Sequence, residues 1–297
     1  MEKGKIGRNI SWTLEQNGDL HIEGIGILKC TTLYGESQDN VVVYSHLKSI
    51  RERVVRIFID EGIESIGEFS FYEFPQLTEV YMPYTVKIIK AGAFKNCSKL
   101  RHIELPSQLE RIGIYAFENC VSLENFRLPD DISIGTAAFR NCSSLSELDK
   151  QRGSIVVFQN AFENCKSLNH VVLNGVGLVG TYAFKGCPVN YLSLSFKRRK
   201  GNTVPKLQSE AFAGSGLKEI HLNFNASKVK ALFCEIEDNC FKHCWDLKDV
   251  FFESAIPHIS EKSFSDKEDV CIHVRKSKYN QWIVKKALKN RFEIQAH

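Results

Sequence analysis

The sequence predicts an α/β protein that leans mostly to β: a right-handed solenoid of about nine coils with a parallel sheet. Two observations carry this prediction. A dipeptide of a small residue and phenylalanine recurs every 22 to 29 residues, and a fixed pattern of aliphatic residues follows it. A unit of about 22 residues is too short to bury its own apolar side chains, so successive units have to stack on one another.

The phenylalanine is the anchor of the repeat. An aliphatic residue stands five positions before it, and often a glycine comes next. Strands of stacked coils lie about 4.8 Å apart, so we expect one phenylalanine per coil in an internal column. We also expect short 3₁₀ or helical turns around these positions. The nine copies are Phe71, Phe94, Phe117, Phe139, Phe162, Phe184, Phe212, Phe241 and Phe264.

Each unit ends in a short apolar pattern, Leu-x-x-Ile-x-Leu, as in residues 100–105 and, with a phenylalanine in the middle, in residues 123–128. The final apolar-x-apolar step has the period of a strand. A following proline such as Pro106 cannot donate to a ladder and ends that strand. Lys150 occupies one of the aliphatic positions, and we therefore predict a distorted strand at residues 149–152.

Six of the ten cysteines occupy one repeat position, three residues after the phenylalanine. We expect them to form a column of buried free thiols, because parallel stacking aims the Cβ atoms poorly for a disulfide. A second group, Cys234, Cys240, His243 and Cys244, contains the residue types that bind zinc in proteins. Two of these residues fall on buried repeat positions, so we expect no metal and no cofactor.

The consensus L-x-x-I-x-L-P-x-x-L-x-x-I-G-x-x-A-F-x-x-C closely resembles the BspA-like (Treponema pallidum type) leucine-rich repeats over residues 57–274. Residues 7–26 resemble that family's opening hairpin, with a turn at Asn17-Gly18. Residues 272–275 resemble its closing segment. We predict an N-terminal cap at 1–54 (the hairpin and a short helix near 46–53), leucine-rich repeats at 55–274 and a C-terminal cap at 275–297.

In the C-terminal cap we expect a helix over residues 277–289. It would lay Tyr279, Trp282 and Ile283 over the last coil, because an open end of a solenoid exposes its core.

The resemblance implies a surface or secreted protein, often an adhesin or a binder of host proteins. The first residues, MEKGKIGRNISW, contain no recognisable secretory signal. Two locations therefore stay open: the cytoplasm if Met1 is the native start, or the cell surface if a signal has been removed. The family function would then be adhesion, with an intracellular protein–protein interaction scaffold as the alternative.

Other function classes find little support. The net charge of +4 and the pI near 8.4 are mild for a nucleic-acid binder. No nucleophile motif or phosphate loop occurs, and no apolar run approaches the length of a membrane span. We expect no catalytic residues, a protein or peptide ligand, no nucleic acid, no membrane span and a monomer.

The candidate ligand surface is formed by the strand residues that lie between the aliphatic positions. Exposed aromatic residues on such a face often anchor protein interfaces. The acidic residues of the face favour a ligand with some basic character. Alternatives are an ordinary solvated face, or a ligand held by a cap or an insertion such as Lys197–Lys200. The candidate residues are Glu79, Tyr81, His102, Glu104, Asn125, Arg127, His170, Val172, Tyr191, Ser193, His221 and Phe251.

Overall fold

The computed structural model confirms a mostly β fold built from parallel ladders. Two compact units, Met1–Leu145 and Ser146–His297, make up the chain. Each unit has two ladders: a face ladder, formed by the Leu-x-x-Ile-x-Leu strands, and a back ladder, formed by the strands just before the phenylalanine turns. The structure describes residues 1–29, 31–34, 41–44, 47–124, 126–150, 152–197, 204–224, 234–253, 257–264, 266, 269–276, 278–289 and 292–297.

Short strands make up most of the first unit. Its face ladder has the order β1-β2-β3-β7-β9-β11, and its back ladder joins β4, β8, β10, β12 and β13; the remaining two strands, β5 and β6, pair with each other. The strands are β1 Glu2–Ile6, β2 Ile10–Leu14, β3 Asp19–Gly24, β4 Gly26–Leu28, β5 Thr31–Tyr34, β6 Val41–Tyr44, β7 Arg56–Ile59, β8 Ile63–Ile66, β9 Glu79–Tyr81, β10 Ile88–Ile89, β11 His102–Glu104, β12 Arg111–Ile112 and β13 Asp131–Ile134.

The N-terminal hairpin has the form that its alternating pattern predicts. Strands β2 and β3 pair antiparallel, and Gly18 turns the chain between them with a φ of 87° that suits glycine. Strand β1 adds a third antiparallel strand. Strand β3 then pairs in parallel with β7, so the hairpin and the repeats share one ladder.

The short helix that we predicted near residues 46–53 is wrong for the part that the structure describes, 47–53. This stretch is a series of turns, in which the amides of Ile50 and Arg53 each donate to the carbonyl three residues back. An α-helix requires successive bonds between residues four apart, and residues 47–53 are turns, not helix. Residue 46 lies outside the described residues.

The turns around the phenylalanines contain the expected 3₁₀-type bonds between residues three apart, but as single turns that do not join into a 3₁₀ helix. In the coil of Phe94, the Lys95 amide donates to the Gly92 carbonyl at 3.1 Å, but the Phe94 amide donates to Ala116 of the next coil at 2.8 Å. Alternate amides therefore bond within the coil and between coils. A 3₁₀ helix needs consecutive bonds within one coil, so the interleaved pattern replaces it.

In every phenylalanine turn except that of Phe264, two residues adopt a left-handed backbone conformation, one two positions before the phenylalanine and one two positions after it. Asparagine tolerates this conformation better than most residues, because its short side chain forms local hydrogen bonds. This accounts for the asparagines that recur at the second position. In the first unit these second positions are Glu73, Asn96, Asn119 and Asn141, with φ between 55° and 64°.

The phenylalanines form the predicted internal column. In the first unit the rings of Phe71, Phe94, Phe117 and Phe139 are fully buried and stack face to face at centroid distances of 5.1–5.2 Å. In the second unit Phe162, Phe184, Phe212, Phe241 and Phe264 do the same at 5.0–5.7 Å. Offset stacking at such distances adds attraction to the burial of the rings.

The strand predicted at the end of the pattern of residues 123–128, at 126–128, does not form. Those of its residues that the structure describes are irregular, and β11 is the last strand of the face ladder in the first unit. Phe126 stands where other units have an aliphatic residue, and its half-buried ring stacks on Phe139 at 5.0 Å. A groove lined by β11 and residues 126–131 lies beside this stretch.

The second unit repeats the two-ladder plan. Its face ladder joins β14, β16, β17, β19, β21, β23 and β24, and its back ladder joins β15, β16, β18, β20 and β22. The strands are β14 Glu147–Lys150, β15 Ser154–Val157, β16 His170–Val179, β17 Tyr191–Phe196, β18 Lys206–Leu207, β19 Glu219–Asn223, β20 Glu235–Ile236, β21 Asp249–Phe252, β22 His258–Ile259, β23 Cys271–Val274 and β24 Glu293–Ala296.

Strand β16 belongs to both ladders because it bends in the middle. Its register shifts between Leu173 and Val176, and Gly175 has a φ of 74°. A Cβ atom at Gly175 would lie 1.9 Å from the carbonyl oxygen of Gly153, so only glycine fits there.

The distortion that we predicted at Lys150 is also wrong. Strand β14 stays in register with β16 through the pair Lys150 and Leu173. The Lys150 side chain is buried, and its ammonium donates to the carbonyl oxygen of Arg152. The long side chain thus carries its charge to a backbone acceptor while its methylenes fill the aliphatic position.

The C-terminal segment contains the helix α1, Lys278–Ala287, followed by β24. Val284 and Leu288 are buried, whereas Trp282 is 56% exposed, contrary to our expectation that it covers the last coil. The side chains of Tyr279 and Ile283 lie outside the described residues. In the part of the chain that the structure describes, no helix is long and apolar enough to cross a membrane.

The cysteine column consists of buried free thiols. The thiols of Cys97, Cys120, Cys142, Cys187 and Cys244 each donate to the carbonyl oxygen of a phenylalanine on the preceding coil. Cys97 and Cys120 donate to Phe71 and Phe94 at 3.0 and 3.2 Å in the first unit, and Cys187 donates to Phe162 at 2.9 Å in the second. Burial raises the pKa of the Cys97 thiol to about 12.

Candidate functional site

In the first unit the face ladder presents four of the predicted residues side by side. Glu79 and Tyr81 lie on β9, and His102 and Glu104 lie at the paired positions of β11. Arg127 is exposed but belongs to the irregular stretch, so it does not continue this face. Asn125 lies outside the described residues.

The hairpin and the first repeat extend this surface with residues that we did not predict. Strands β3 and β7 place His21 and Phe58 in line with Tyr81, and the three rings stack with centroids 5.0 Å apart. We assigned β3 to a cap and so did not continue the face into it. The alternation of Asp19-Leu20-His21-Ile22 matches that of the repeat strands and was the available signal.

An ion pair flanks the row of rings in the first unit. The Arg56 guanidinium donates to both carboxylate oxygens of Asp19, each at 2.7 Å. These bonds hold the pKa of the Asp19 carboxyl below its usual value. Next to it, the Tyr81 hydroxyl donates to Glu79, and this bond raises the pKa of Tyr81.

In the second unit the face ladder aligns the other six predicted residues. His170 and Val172 of β16 pair with Tyr191 and Ser193 of β17. Ser193 in turn pairs with His221 of β19, which lies opposite Phe251 of β21. All six side chains are half-buried and none belongs to the core.

Aromatic and imidazole rings form a continuous row on this face. Tyr191 stacks on His170 at 5.0 Å and contacts His221 at 5.8 Å. His221 stacks on Phe251 at 4.6 Å, and Phe251 stacks on His273 at 4.1 Å. Neighbouring strands lie about 4.8 Å apart, close to the preferred spacing of stacked rings, so in-register parallel strands favour such a row.

Carboxylates accompany the row. His221 contacts Glu253 through Nδ1 at 2.8 Å and Glu219 through Nε2. Burial lowers the pKa of His221, but the hydrogen bonds to the two carboxylates outweigh it, so the net shift is upward. The His273 Nε2 lies 2.8 Å from Asp249 Oδ1. The surface is therefore a row of aromatic and imidazole rings bordered by carboxylates, which we call acid-edged.

The other candidate features do not converge on this face. Cys240 and Cys244 are buried, while His243 is half-exposed at its ring and pairs with Asp266 at 2.6 Å. Of the basic run 197–200, only Lys197 is described, and it is exposed. The pattern Asn225-Ala226-Ser227 lies outside the described residues. One group of possible metal ligands, Asp249, Cys271 and His273, does lie on the face.

Comparison with known families decides the classification. The model of the BspA type leucine-rich repeat region matches residues 64–192 and 179–294, with six copies of the repeat. The chain belongs to the BspA-type leucine-rich repeat family. The search among curated proteins found no match. The leucine-rich repeat fold is typically a non-enzymatic scaffold for protein interactions.

Solved structures similar to this chain include three leucine-rich repeat or related bacterial proteins. A leucine-rich repeat protein from Eubacterium ventriosum has a TM-score of 0.51 at 18% identity, with 93% of this chain and 79% of that chain covered. The T. pallidum leucine-rich repeat protein (TpLRR) has a TM-score of 0.37 at 19% identity, with 96% of each chain covered. The pneumococcal vaccine antigen PcpA has a TM-score of 0.44 at 16% identity, with 97% of each covered. Only the first carries weight for the fold.

Proposed function

We propose that this BspA-type chain is a non-enzymatic protein-binding module of the adhesion type that holds its ligand on the face ladder. The ring row of the second unit, His170 to His273, is the main contact surface. Stacked rings present a large apolar area and are already held in place in the free protein, so binding costs little further side-chain entropy. Residues of this kind form the hot spots of protein interfaces.

The chemistry of the row favours a ligand with cationic side chains. The carboxylates of Glu219, Asp249 and Glu253 contact the histidines of the row, and the faces of Tyr191 and Phe251 attract lysine and arginine. The ligand is therefore an extended protein segment or loop that carries Lys or Arg between apolar residues. The same acid-edged surface disfavours nucleic acid, whose phosphates would meet the carboxylates.

The test compares synthetic peptides of equal length that are cationic, neutral or acidic, each alternating with apolar residues. Fluorescence anisotropy gives their affinity for the wild-type protein and for Phe251→Ala. We expect binding of the cationic peptides alone, and a loss of about tenfold or more in Phe251→Ala, because truncating a hot-spot residue costs at least about 1–2 kcal/mol. These peptide-binding measurements are made with a metal chelator present, so that they do not depend on a bound cation.

Phe158→Ala is the matched control, because Phe158 is an exposed aromatic residue that lies off the face ladder. It should leave the affinity unchanged. Equal binding by wild type and Phe251→Ala, or a preference for acidic peptides, would refute the proposal.

The same face would serve a surface adhesin or an intracellular scaffold. Protease shaving of intact cells separates the two. Release of peptides from this chain supports the adhesion role, whereas retention of the intact chain in the soluble cell fraction supports the scaffold.

A further inference from the structure

We propose that Asp249, Cys271 and His273 form a binding site for one thiophilic divalent cation, with Zn²⁺ as the expected ion. This inference goes beyond the proposed protein-binding function. A thiolate, an imidazole and a carboxylate together are a ligand set that suits Zn²⁺ rather than Mg²⁺ or Ca²⁺.

The parallel register brings the three ligands together. Asp249 of β21 and Cys271 of β23 are direct partners across the ladder, and His273 lies two residues further along β23 on the same face. The thiol sulfur, the imidazole nitrogen and the carboxylate oxygen all lie within 4.8 Å of one another. Ligand atoms around tetrahedral zinc are about 3.3–3.8 Å apart, given bonds of about 2.0–2.3 Å. Small side-chain rotations close this difference.

Neighbouring side chains hold His273 in the orientation that a ligand needs. Its side chain is only 11% exposed, and its ring lies between Phe251 at 4.1 Å and His297 at 5.1 Å. Its Nε2 faces Asp249, while Nδ1 lies 2.9 Å from Nε2 of His297. With the ion on Nε2, the Nδ1 proton can be donated to His297. Such outer hydrogen bonds fix the tautomer of metal-binding histidines.

Binding of the cation releases one proton from the protein. The Cys271 thiol loses its proton to solvent when the sulfur binds the cation. His273 stays neutral and carries its one proton on Nδ1, and Asp249 binds as the carboxylate. Each ion bound releases one proton. The fourth position is open to water, as in zinc sites that accept a further ligand.

The experiment uses the full chain, reduced and stripped of metal. Competition with a chromogenic chelator gives the stoichiometry and the Kd for Zn²⁺, and Co²⁺ replaces Zn²⁺ to report the thiolate through its sulfur-to-cobalt charge-transfer absorption. We expect one high-affinity ion and a clear charge-transfer band. Cys271→Ser should abolish the band and raise the Kd by about 100-fold, and Asp249→Asn should raise it by at least about tenfold.

His221→Gln is the matched control. His221 stacks on the other side of Phe251 and contacts two carboxylates, but it has no thiol partner. Its Kd for Zn²⁺ should equal that of the wild type, and thermal melting should show that all variants are folded. Absence of high-affinity uptake by the wild type would overturn the proposal. So would a Zn²⁺ affinity that Cys271→Ser leaves unchanged, or one that His221→Gln lowers equally.

The two proposals fail separately. Peptide binding is measured with a chelator present, so its loss says nothing against the cation site. Zn²⁺ binding is measured without peptide, so its absence leaves the protein-binding face intact.

Discussion

The thiol of Cys120 donates a hydrogen bond to the carbonyl oxygen of Phe94, 3.2 Å away on the preceding coil. The same oxygen accepts the backbone amide of Cys97 at 3.2 Å. The cysteine column is therefore more than small apolar filling, because five of its thiols, Cys120 among them, link their own coil to the one before. Ser215 at the equivalent place of a unit in the second half shows that a hydroxyl also fits this position.

Replacement of Cys120 should separate the contribution of the thiol hydrogen bond from that of the apolar packing of its side chain. Cys120→Ala removes the donor and leaves a small void, and we expect a loss of about 2 kcal/mol in the free energy of unfolding. Cys120→Ser keeps a donor for the Phe94 carbonyl and should lose less. Urea denaturation measures both. A serine variant less stable than the alanine variant would show that the hydrogen bond contributes nothing.

The thiols should differ sharply in reactivity. Among the described cysteines Cys271 alone is partly exposed, whereas Cys97 and Cys142 are buried. Burial raises the pKa of all three thiols, so access to the reagent should decide the order of reaction. We expect brief alkylation of the native protein to label Cys271 before either of them, as peptide mapping by mass spectrometry would show. Early labelling of Cys97 or Cys142 would contradict the buried column, and unfolding in urea should make all sites react.

The pair of Asp19 and Arg56 should contribute to acid sensitivity. The pKa of Asp19 lies below its usual 3.8 in the folded protein. The ion pair therefore contributes its full stabilisation at pH values above the usual pKa of 3.8, and this stabilisation is lost as the pH falls through the lowered pKa of the folded protein. Asp19→Asn should be less stable than wild type near neutral pH, and the difference should shrink in acid. Glu61→Gln, at an exposed carboxylate of the same unit, should show a smaller effect at every pH.

The left-handed turn residues should tolerate few substitutions. Asn119 has a φ of 62°, and its side-chain amide donates to Oδ1 of Asn96 at 2.8 Å. Asn119→Val should cost about 1–3 kcal/mol, because a β-branched residue is strained in this conformation. Asn119→Gly loses the side-chain bonds to Asn96 and Asn141 but adopts the left-handed conformation without strain, so it should be the milder change. Chemical denaturation of both variants would show the order, and the reverse order would refute the explanation.

The sequence predicted those parts of the fold that repeat. The phenylalanine column, the free thiols and the parallel ladders follow from positions that recur in many units, so an error in one unit does not change the register. Phe126 and Lys150 are single departures from the pattern. The first coincides with a lost strand and the second does not, because a long side chain can carry its charge out of the core to the Arg152 carbonyl.

The candidate site was predictable only in part. The pattern places Tyr191, His221 and Phe251 on one face, since residues between aliphatic positions of a strand point away from the core. It does not reveal that the rings stack, nor that Cys271 and His273 meet Asp249, because these residues are 22 and 24 positions apart in the sequence. Their meeting depends on the length of the intervening coil.

The interleaved hydrogen bonds of the phenylalanine turns restrict where the chain can grow. Alternate amides such as those of Gly92 and Phe94 are committed to the next coil, so an added residue would break the bonds of two coils at once. Both lengthened repeats gain their extra residues elsewhere, in the sequence between a face strand and the back strand that follows it, at 197–205 and 224–234. Evolution can thus lengthen this protein in these segments or by whole coils, and a protein engineer who wishes to graft a new loop has the same two options.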